Sequence, residues 1–353
     1  MNLALKHIYE SSNMVFLEQM EVNKILKNYD LNIIDVQKIR SIYRVAAEEG
    51  FYCLKKIGNG EKRAIKSISI MNYLKIQGFD KVTNPLYCSS GEVLVKRKSS
   101  SYYLADWIDA VEVDFDNIGD IMESIRLLAE FHNKAKGFQT KIIKLESNIG
   151  KLPKLYNEKI DFLNSIKESL DMKSDKNSFD ILYHENIDYY IHQAQLAANI
   201  LKNSDYDKLC EKNKKELYIC HDSFYYQNIL KDEQSNYYLI DLESCLYDLP
   251  LADLGKFLRR IMANKKYLWD FDLCRSMLFE YENVRNVDEK EYKIILSMLV
   301  FPYKFYKLGR KKYLKKKKWK NERFLRKLNR ILEYKEQKER FIESYIKYYN
   351  IKL

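Results

Sequence analysis

Glycine and proline are scarce in this chain, at 10 and 4 of 353 residues. So few turn-forming positions exclude an all-β fold built on many tight hairpins and favour long helices. Long apolar runs are missing too. The best of them, IILSMLVF (294–301), falls well short of the roughly 20 residues that a membrane span needs. The opening MNLALKHIYESSNMVFLEQM sustains no apolar stretch of the kind a secretory signal requires, so no signal is expected there. Six cysteines (53, 88, 210, 220, 245 and 274) show neither C-x-x-C spacing nor a histidine at metal-ligand spacing. Buried thiols in a reduced compartment are expected instead. No internal repeat is visible.

What is present is an ordinary globular composition, 46% apolar and 31% charged, long enough for two domains or one bilobal unit. The 29 tyrosines accompany abundant Lys, Asn and Ile, as an AT-rich genome would dictate, and carry no functional weight alone. Charge is informative once located. The chain has 61 Lys/Arg against 50 Asp/Glu, while residues 310–330 alone hold 12 against one, Glu322. The remainder balances at 49 each, so the basicity is one patch rather than a global property.

Periodicity divides the chain into a small α+β part and a large helical part. Residues 14–29 carry apolar positions at helical spacing, which predicts a helical extension over 1–30. LNIIDVQKIRSIYRVAAEEGFYCLKKIG is β-rich, with FYCLKKI a strand between Gly50 and Gly58. KRAIKSISIMNYLKIQGF (62–79) places Ile65, Ile68, Met71 and Ile76 near one helical face and stops at Gly78. VLVKRK and SYYLADWI form two short strands around a serine-rich turn, completing a small lobe over 31–108. Residues 109–353 then read as a helical lobe. Its helices are IMESIRLLAEFHNKA, 154–172, 185–203, 206–217, LADLGKFLRRIM, DLCRSMLFEY and DEKEYKIILSMLVF, and it ends in a basic helical segment over 310–346 that reads as one or two helices. One β interruption, 219–245, breaks this pattern.

That interruption carries the chemistry. Within CHDSFYYQNIL (220–230), Asn228 lies seven residues after His221; Asp241 follows YYLI, where a strand would deliver a carboxylate. Glu243 lies two residues on and shares Asp241's side if the strand continues. Hard oxygen donors on adjacent antiparallel strands make a sensible Mg²⁺ clamp, and phosphoryl transfer is mostly positioning and charge neutralisation. Taken singly, an Asn before Ile-Leu is usually a turn residue and a strand-end Asp usually a cap. The ordered string continuing into DLPLADL (248–254) is what sets these apart.

H-x₆-N, then I-D-L-E, then D-x-P-x-x-D-L resembles the aminoglycoside phosphotransferase/choline kinase-like superfamily. GFYCLKK, YLKIQGF, YYLADWI, LLAEFH, YDLPLADLGKFLRRIM, LWDFDLCRSMLFEY and MLVFPYKFYKLGRKKYLKKKKWK narrow the resemblance to the bacterial spore coat protein family named after CotS, over about residues 30–345. The resemblance implies an α+β, bilobal protein kinase-like fold, with a small β-rich N-lobe and a large, mostly helical C-lobe ending in the basic helix. It makes Lys55 the phosphate-facing lysine, while Lys56 faces the opposite way along the strand. Asp106 and Trp107 are expected to join Lys55 at the nucleotide. His221 opens the catalytic loop, Asn228, Asp241 and Glu243 hold metal, and Asp253 ties its helix to that loop. Pro250, with its locked φ, fixes the chain entering that helix. ATP and Mg²⁺ are the implied cofactors, other coat proteins the implied partners, and the mother-cell cytoplasm followed by the spore coat the implied location.

Three departures oppose an intact enzyme. The superfamily loop reads His-x-Asp, four residues, then Asn; counting back from Asn228 puts Ser223 at the Asp position and Asp222 one place early. Losing a positioned base costs about 10²–10⁴-fold. Asp222 substitutes only if the loop bulges by a residue, because a one-residue slip redirects the side chain. The would-be glycine loop, QKIRSIYRVAAEEGFY, has no glycine before Gly50. Helix 62–77 offers Lys62, Arg63 and Lys66 but no Glu for Lys55, with Glu61 expected ahead of the helix.

In the basic segment, Phe324, Leu325, Leu328, Ile331 and Leu332 form a core-facing stripe. Lys315, Lys316, Lys317, Lys318 and Lys320 are left either as a solvated face or as a dock for an acidic partner, anionic lipid or polyanion. Tyr313 and Trp319 could stack on bases, but no nucleic-acid motif accompanies them. Three readings stand: a coat assembly protein with a degraded phosphotransferase site, an active ATP-dependent kinase for a small molecule or protein, and a polyanion-binding module centred on 310–330.

Overall fold

Tyr43, Val45 and Ala47 alternate with Arg44 and Ala46, and this period of two makes Ile42–Ala47 a strand with one buried face. The computed structural model describes residues 18–58 and 60–353, and the chain divides into two units. The first unit runs to Glu112 and adds Phe138–Leu145 and Gln227–Cys245; the second takes Val113–Gly137, Glu146–Tyr226 and Leu246–Leu353. Of the helical extension expected at the start, residues 1–17 lie outside the described residues, and 18–26 form a helix, α1.

The first unit is built on an antiparallel sheet. Its strands are β1 (Ile33–Ile39), β2 (Ile42–Ala47), β3 (Gly50–Gly58), β4 (Pro85–Leu86), β5 (Val95–Arg97) and β6 (Ser100–Asp106), in the order β1-β2-β3-β6-β4 with β5 also on β6. Val22, Ile25 and Leu26 of α1 pack with Tyr43, Val45, Leu54, Tyr102 and Leu104 in one apolar cluster. Helix α2 (Glu61–Ile76) buries Ala64, Ile68, Met71 and Leu74, packing on β3 and β6. It ends where Gly78 adopts φ +73°, the left-handed position that Gly tolerates best. Glu61 is the first residue of α2, not a residue ahead of it. An acid is favoured there by the positive end of the helix dipole, and Glu61 pairs with Lys96 at 2.7 Å. A second, three-stranded sheet joins β7 (Val111–Glu112), β9 (Ile229–Lys231) and β10 (Tyr237–Leu239) in the order β10-β9-β7.

The second unit is helical: α3 (Ile118–Ala135), α4 (Leu152–Asp171), α5 (Ser178–Lys202), α6 (Tyr206–Glu216), α7 (Pro250–Met262), α8 (Phe271–Glu282), α9 (Glu289–Val300), α10 (Tyr303–Gly309), α11 (Asn321–Glu333) and α12 (Lys335–Tyr348). A two-stranded ladder of β8 (Ile219–Cys220) and β11 (Leu246–Tyr247) lies among them. Polar side chains mark the starts: Asn177 with Asp180 boxes the N-terminus of α5, and Asp288 with Glu291 that of α9. The apolar run IILSMLVF forms the buried end of α9. Stacked rings organise the core, with Phe305 lying 4.1 Å from Tyr183 and 4.0 Å from Tyr190 between ring centroids.

The terminal basic segment is not one helix. A π-helical turn (Arg310–Leu314) continues α10, residues 315–320 are irregular, and α11 and α12 follow. Consecutive lysines would stand as like charges at i, i+3 on a helix, and Lys316 adopts φ +42°. The expected stripe holds where the helix resumes: Phe324 and Leu328 are fully buried, with Leu325, Ile331 and Leu332 partly so.

Candidate phosphate and metal site

In the first unit, three of the expected residues meet. Leu54 faces the core and Lys55 the opposite side of β3, while Lys56 is exposed. The Lys55 ammonium donates to Asp241 Oδ1 at 2.7 Å and lies 2.6 Å from Glu243 Oε1. Burial works against the Lys55 cation, but Tyr103, Asp241 and Glu243 outweigh it and hold the group charged above its ordinary range. The Glu243 contact is an ion pair without hydrogen-bond alignment, and Oε1 is buried with no hydrogen-bond partner.

The strand does not continue from Asp241 to Glu243. β10 ends at Leu239, Asp241 takes a left-handed φ of +66°, and Leu242–Ser244 form a 3₁₀ turn. The two carboxylates therefore reach one ammonium through a turn rather than through strand alternation. Asn228 is buried in a 3₁₀ turn leading into β9, and its carbonyl accepts from Ile240 N–H at 3.0 Å, extending the β9–β10 pairing by one step. Asn228 and Asp241 thus lie at the same end of one hairpin. A buried carboxylate oxygen lacking an aligned donor, beside a second carboxylate and with an asparagine at the same end of the hairpin, is a donor set that suits Mg²⁺.

The other residues expected at a nucleotide make protein contacts. Asp106 accepts from Asn84 Nδ2 at 2.5 Å; Trp107 N–H donates to Phe51 O at 3.0 Å, and the Arg44 guanidinium lies 5.6 Å from the Trp107 ring. The β1–β2 connection is a two-residue turn in which Arg40, with φ +54°, stands where a glycine would be cheapest, and Arg40 pairs with Glu112.

In the second unit, His221, Asp222 and Ser223 are tied down by Asp253. Pro250 opens α7 and Asp253 sits in its first turn. The Asp253 carboxylate accepts from His221 N–H at 2.5 Å, from Asp222 N–H at 3.0 Å and from the His132 ring at 3.5 Å. Burial opposes its ionisation, yet the His132 hydrogen bond and the Lys256 charge hold the carboxyl down to about 2. Ser223 N–H donates to His221 Nδ1 at 3.3 Å. Asp222 takes a left-handed φ of +63° and its carboxylate is paired with Lys256. Burial works against Lys256, and Asp253 and Asp222 keep it charged.

Sequence reasoning missed Lys256, His132, Tyr281 and Asp248. Lys256 was legible as Asp253's i+3 neighbour on α7, and His132 as the end of LLAEFH. Asp248 is pushed up to about 7 by burial. It lines a cavity of about 260 Å³ with Asp222, Lys256, Lys159, Arg259 and Tyr303. His132, Cys220 and Asp253 lie close enough to hold a metal, but all are buried and each has a protein partner: His132 bonds Tyr281 at 2.6 Å, and Cys220 donates to Leu249 O at 3.1 Å. None of the six cysteines is disulfide-bonded among the described residues. Lys315–Lys318 and Lys320 are exposed on the irregular segment, away from helical geometry. No described helix is long and apolar enough to cross a membrane.

Comparison with known proteins gives this geometry its context. The family described as "Spore coat putative kinase YutH" matches residues 22–345. Spore coat protein S of Bacillus subtilis (strain 168) is 25% identical, over 93% of this chain and 94% of its own. An aminoglycoside phosphotransferase from Alicyclobacillus acidocaldarius superposes with a TM-score of 0.83 at 21% identity, covering 93% of this chain and 96% of that one. A spectinomycin phosphotransferase solved with ADP and spectinomycin gives 0.60 at 16% identity, covering 89% and 93%. These likenesses show the kinase-like fold.

Proposed function

This chain belongs to the spore coat YutH kinase-like family, and we propose that it acts as a coat assembly protein whose fold keeps a Mg²⁺–nucleotide clamp but lacks the base for phosphoryl transfer. The observation that carries this reading is the state of the loop. Ser223 holds the position of the base, and a serine hydroxyl is no proton acceptor near neutrality. The neighbouring carboxylate, Asp222, is occupied by Lys256, and its backbone N–H is anchored on Asp253.

The first unit supports the nucleotide half. Asp241, Glu243 and Asn228 would hold Mg²⁺, whose role is to neutralise phosphate charge, and Lys55 would turn from its carboxylates toward the phosphates. The protein would be made in the mother-cell cytoplasm and placed in the coat, where other coat proteins are its partners. Its exposed lysines at 315–318 and 320 are available to an acidic surface.

Thermal-shift titration with ATP, with and without Mg²⁺, tests the clamp: a Mg²⁺-dependent rise that Asp241→Ala abolishes is expected. Phosphotransfer assays test the missing base, with a silent wild type and turnover appearing in Ser223→Asp. Asp241-dependent phosphorylation of any substrate by the wild type would overturn the reading in favour of an active kinase, with Asp222 or the substrate itself supplying the base.

A further inference from the structure

A second cavity of the helical unit, about 320 Å³, has a one-sided charge. Arg259 of α7, Lys304 and Lys307 of α10, Lys311 of the π-helical turn, and Lys327 and Arg330 of α11 all line it. Lys335 and Lys338 of α12 complete the set, and no Asp or Glu is among the lining residues. We propose that this cavity is a binding site for a compact soluble polyphosphorylated anion.

Surface lysines normally find carboxylates or bulk water. Among the described residues none of these eight cations forms a salt bridge, although more than twenty such pairs occur elsewhere in the protein. Several of them are instead held by neutral partners. Lys304 and Lys338 donate to the carbonyls of Ala263 and Val300. Arg259 lies 3.8 Å over Tyr303, Lys335 3.8 Å over Tyr189, and Lys338 5.0 Å from the Trp269 ring. Ring faces and carbonyls orient a cation without cancelling its charge. Glu339, which does not line the cavity, is hydrogen-bonded to Tyr189.

Gathering cations from five elements destabilises the empty protein. Burial, with repulsion from Arg259, holds Lys338 down to about 7, and burial with neighbouring cations lowers Lys304, Lys307 and Lys327. A structure that keeps such an arrangement fits an anion that removes the repulsion on binding. Lysine ammoniums act as point charges toward phosphate, and six of the eight are lysines. The site is distinct from the exposed lysine run, since none of Lys315–Lys318 lines the cavity.

The test is isothermal titration of the full-length protein with tripolyphosphate and with inositol hexakisphosphate, at 150 mM salt. Saturable one-to-one binding of at least one probe is expected, weakened at least tenfold in Lys327→Ala/Arg330→Ala and in Lys307→Ala/Lys311→Ala. Replacing Lys315–Lys318 together by Ala should leave the affinity within about twofold. A circular-dichroism melt of each variant confirms folding, and two independent cavity pairs guard against one that fails to fold. Three results would each overturn the proposal: no binding of either probe, binding lost with Lys315–Lys318 rather than the cavity pairs, or capture only by vesicles containing a phosphoinositide.

Discussion

Asp253→Asn isolates the interaction that holds the 221–223 loop in place. The wild-type carboxylate takes two backbone N–H groups, of His221 and Asp222, and the His132 ring, all on fully or largely buried atoms. Asparagine keeps one acceptor oxygen and turns an NH₂ toward the other backbone donor. One charge-assisted hydrogen bond is lost, worth about 1.5–3 kcal/mol, and a buried N–H is left facing a donor at about 1–3 kcal/mol more. The expected loss is therefore about 2.5–6 kcal/mol at pH 7, a large part of the 5–15 kcal/mol typical of a folded domain.

The pH dependence supplies a sign that mere disruption would not. The folded carboxyl titrates at about 2, below the ~3.9 of an unfolded aspartate, so its contribution is present above about pH 4 and fades as pH falls through 2. The shift of about two units corresponds to about 2–3 kcal/mol, of which roughly half remains at pH 3. Urea unfolding followed by circular dichroism should show the gap between wild type and Asp253→Asn narrowing by about 1 kcal/mol from pH 7 to pH 3. A gap below 1 kcal/mol at pH 7, or one that does not narrow in acid, would refute the reasoning.

Asp248→Asn should behave oppositely, because burial raises the folded carboxyl to about 7 and its contribution worsens as pH climbs from 4. Asn can still accept from Leu249 N–H, so the variant should gain up to about 4 kcal/mol at pH 8 and little at pH 4, read by the same unfolding curves. Gly309→Ala should lose about 1–2 kcal/mol in denaturant midpoints: its Cβ would collide with the buried Tyr183 hydroxyl and ring, and overpacking outweighs the helix-propensity gain. Adding Tyr183→Phe should restore part of that loss, because the ring carbon at 2.8 Å remains, and no recovery would show that the hydroxyl is not the obstacle. Lys55→Met leaves Asp241 and Glu243 without their shared cation, so Mg²⁺ alone should raise the melting temperature of the variant more than that of the wild type. An equal or smaller rise would count against a metal clamp there.

Most elements of the fold were legible because their periodicity is local: FYCLKKI between two glycines is β3, and IILSMLVF is the buried end of α9. The basic segment misled, since residues 310–346 have helix-forming composition and only the crowding of like charges, a cost spread over several side chains, breaks the helix at 315–320. Glu243 misled for a different reason. Strand alternation and a left-handed residue followed by a 3₁₀ turn both bring it to Lys55, and nothing in the letters of LIDLES distinguishes the two. The loop at 221–223 is the sharper case. The motif places Ser223 by counting, and an alternative in which Asp222 takes over needs the chain to bulge by one residue. That bulge would have to break the bonds from His221 N–H and Asp222 N–H to Asp253 and from Ser223 N–H to His221, and to release Asp222 from Lys256. Three hydrogen bonds at about 1–2 kcal/mol each set a barrier of several kcal/mol against it. The residue that stabilises this loop, Asp253, is therefore also the one that holds the 221–223 backbone in the register where the motif count, on the proposed reading, falls on Ser223 rather than Asp222.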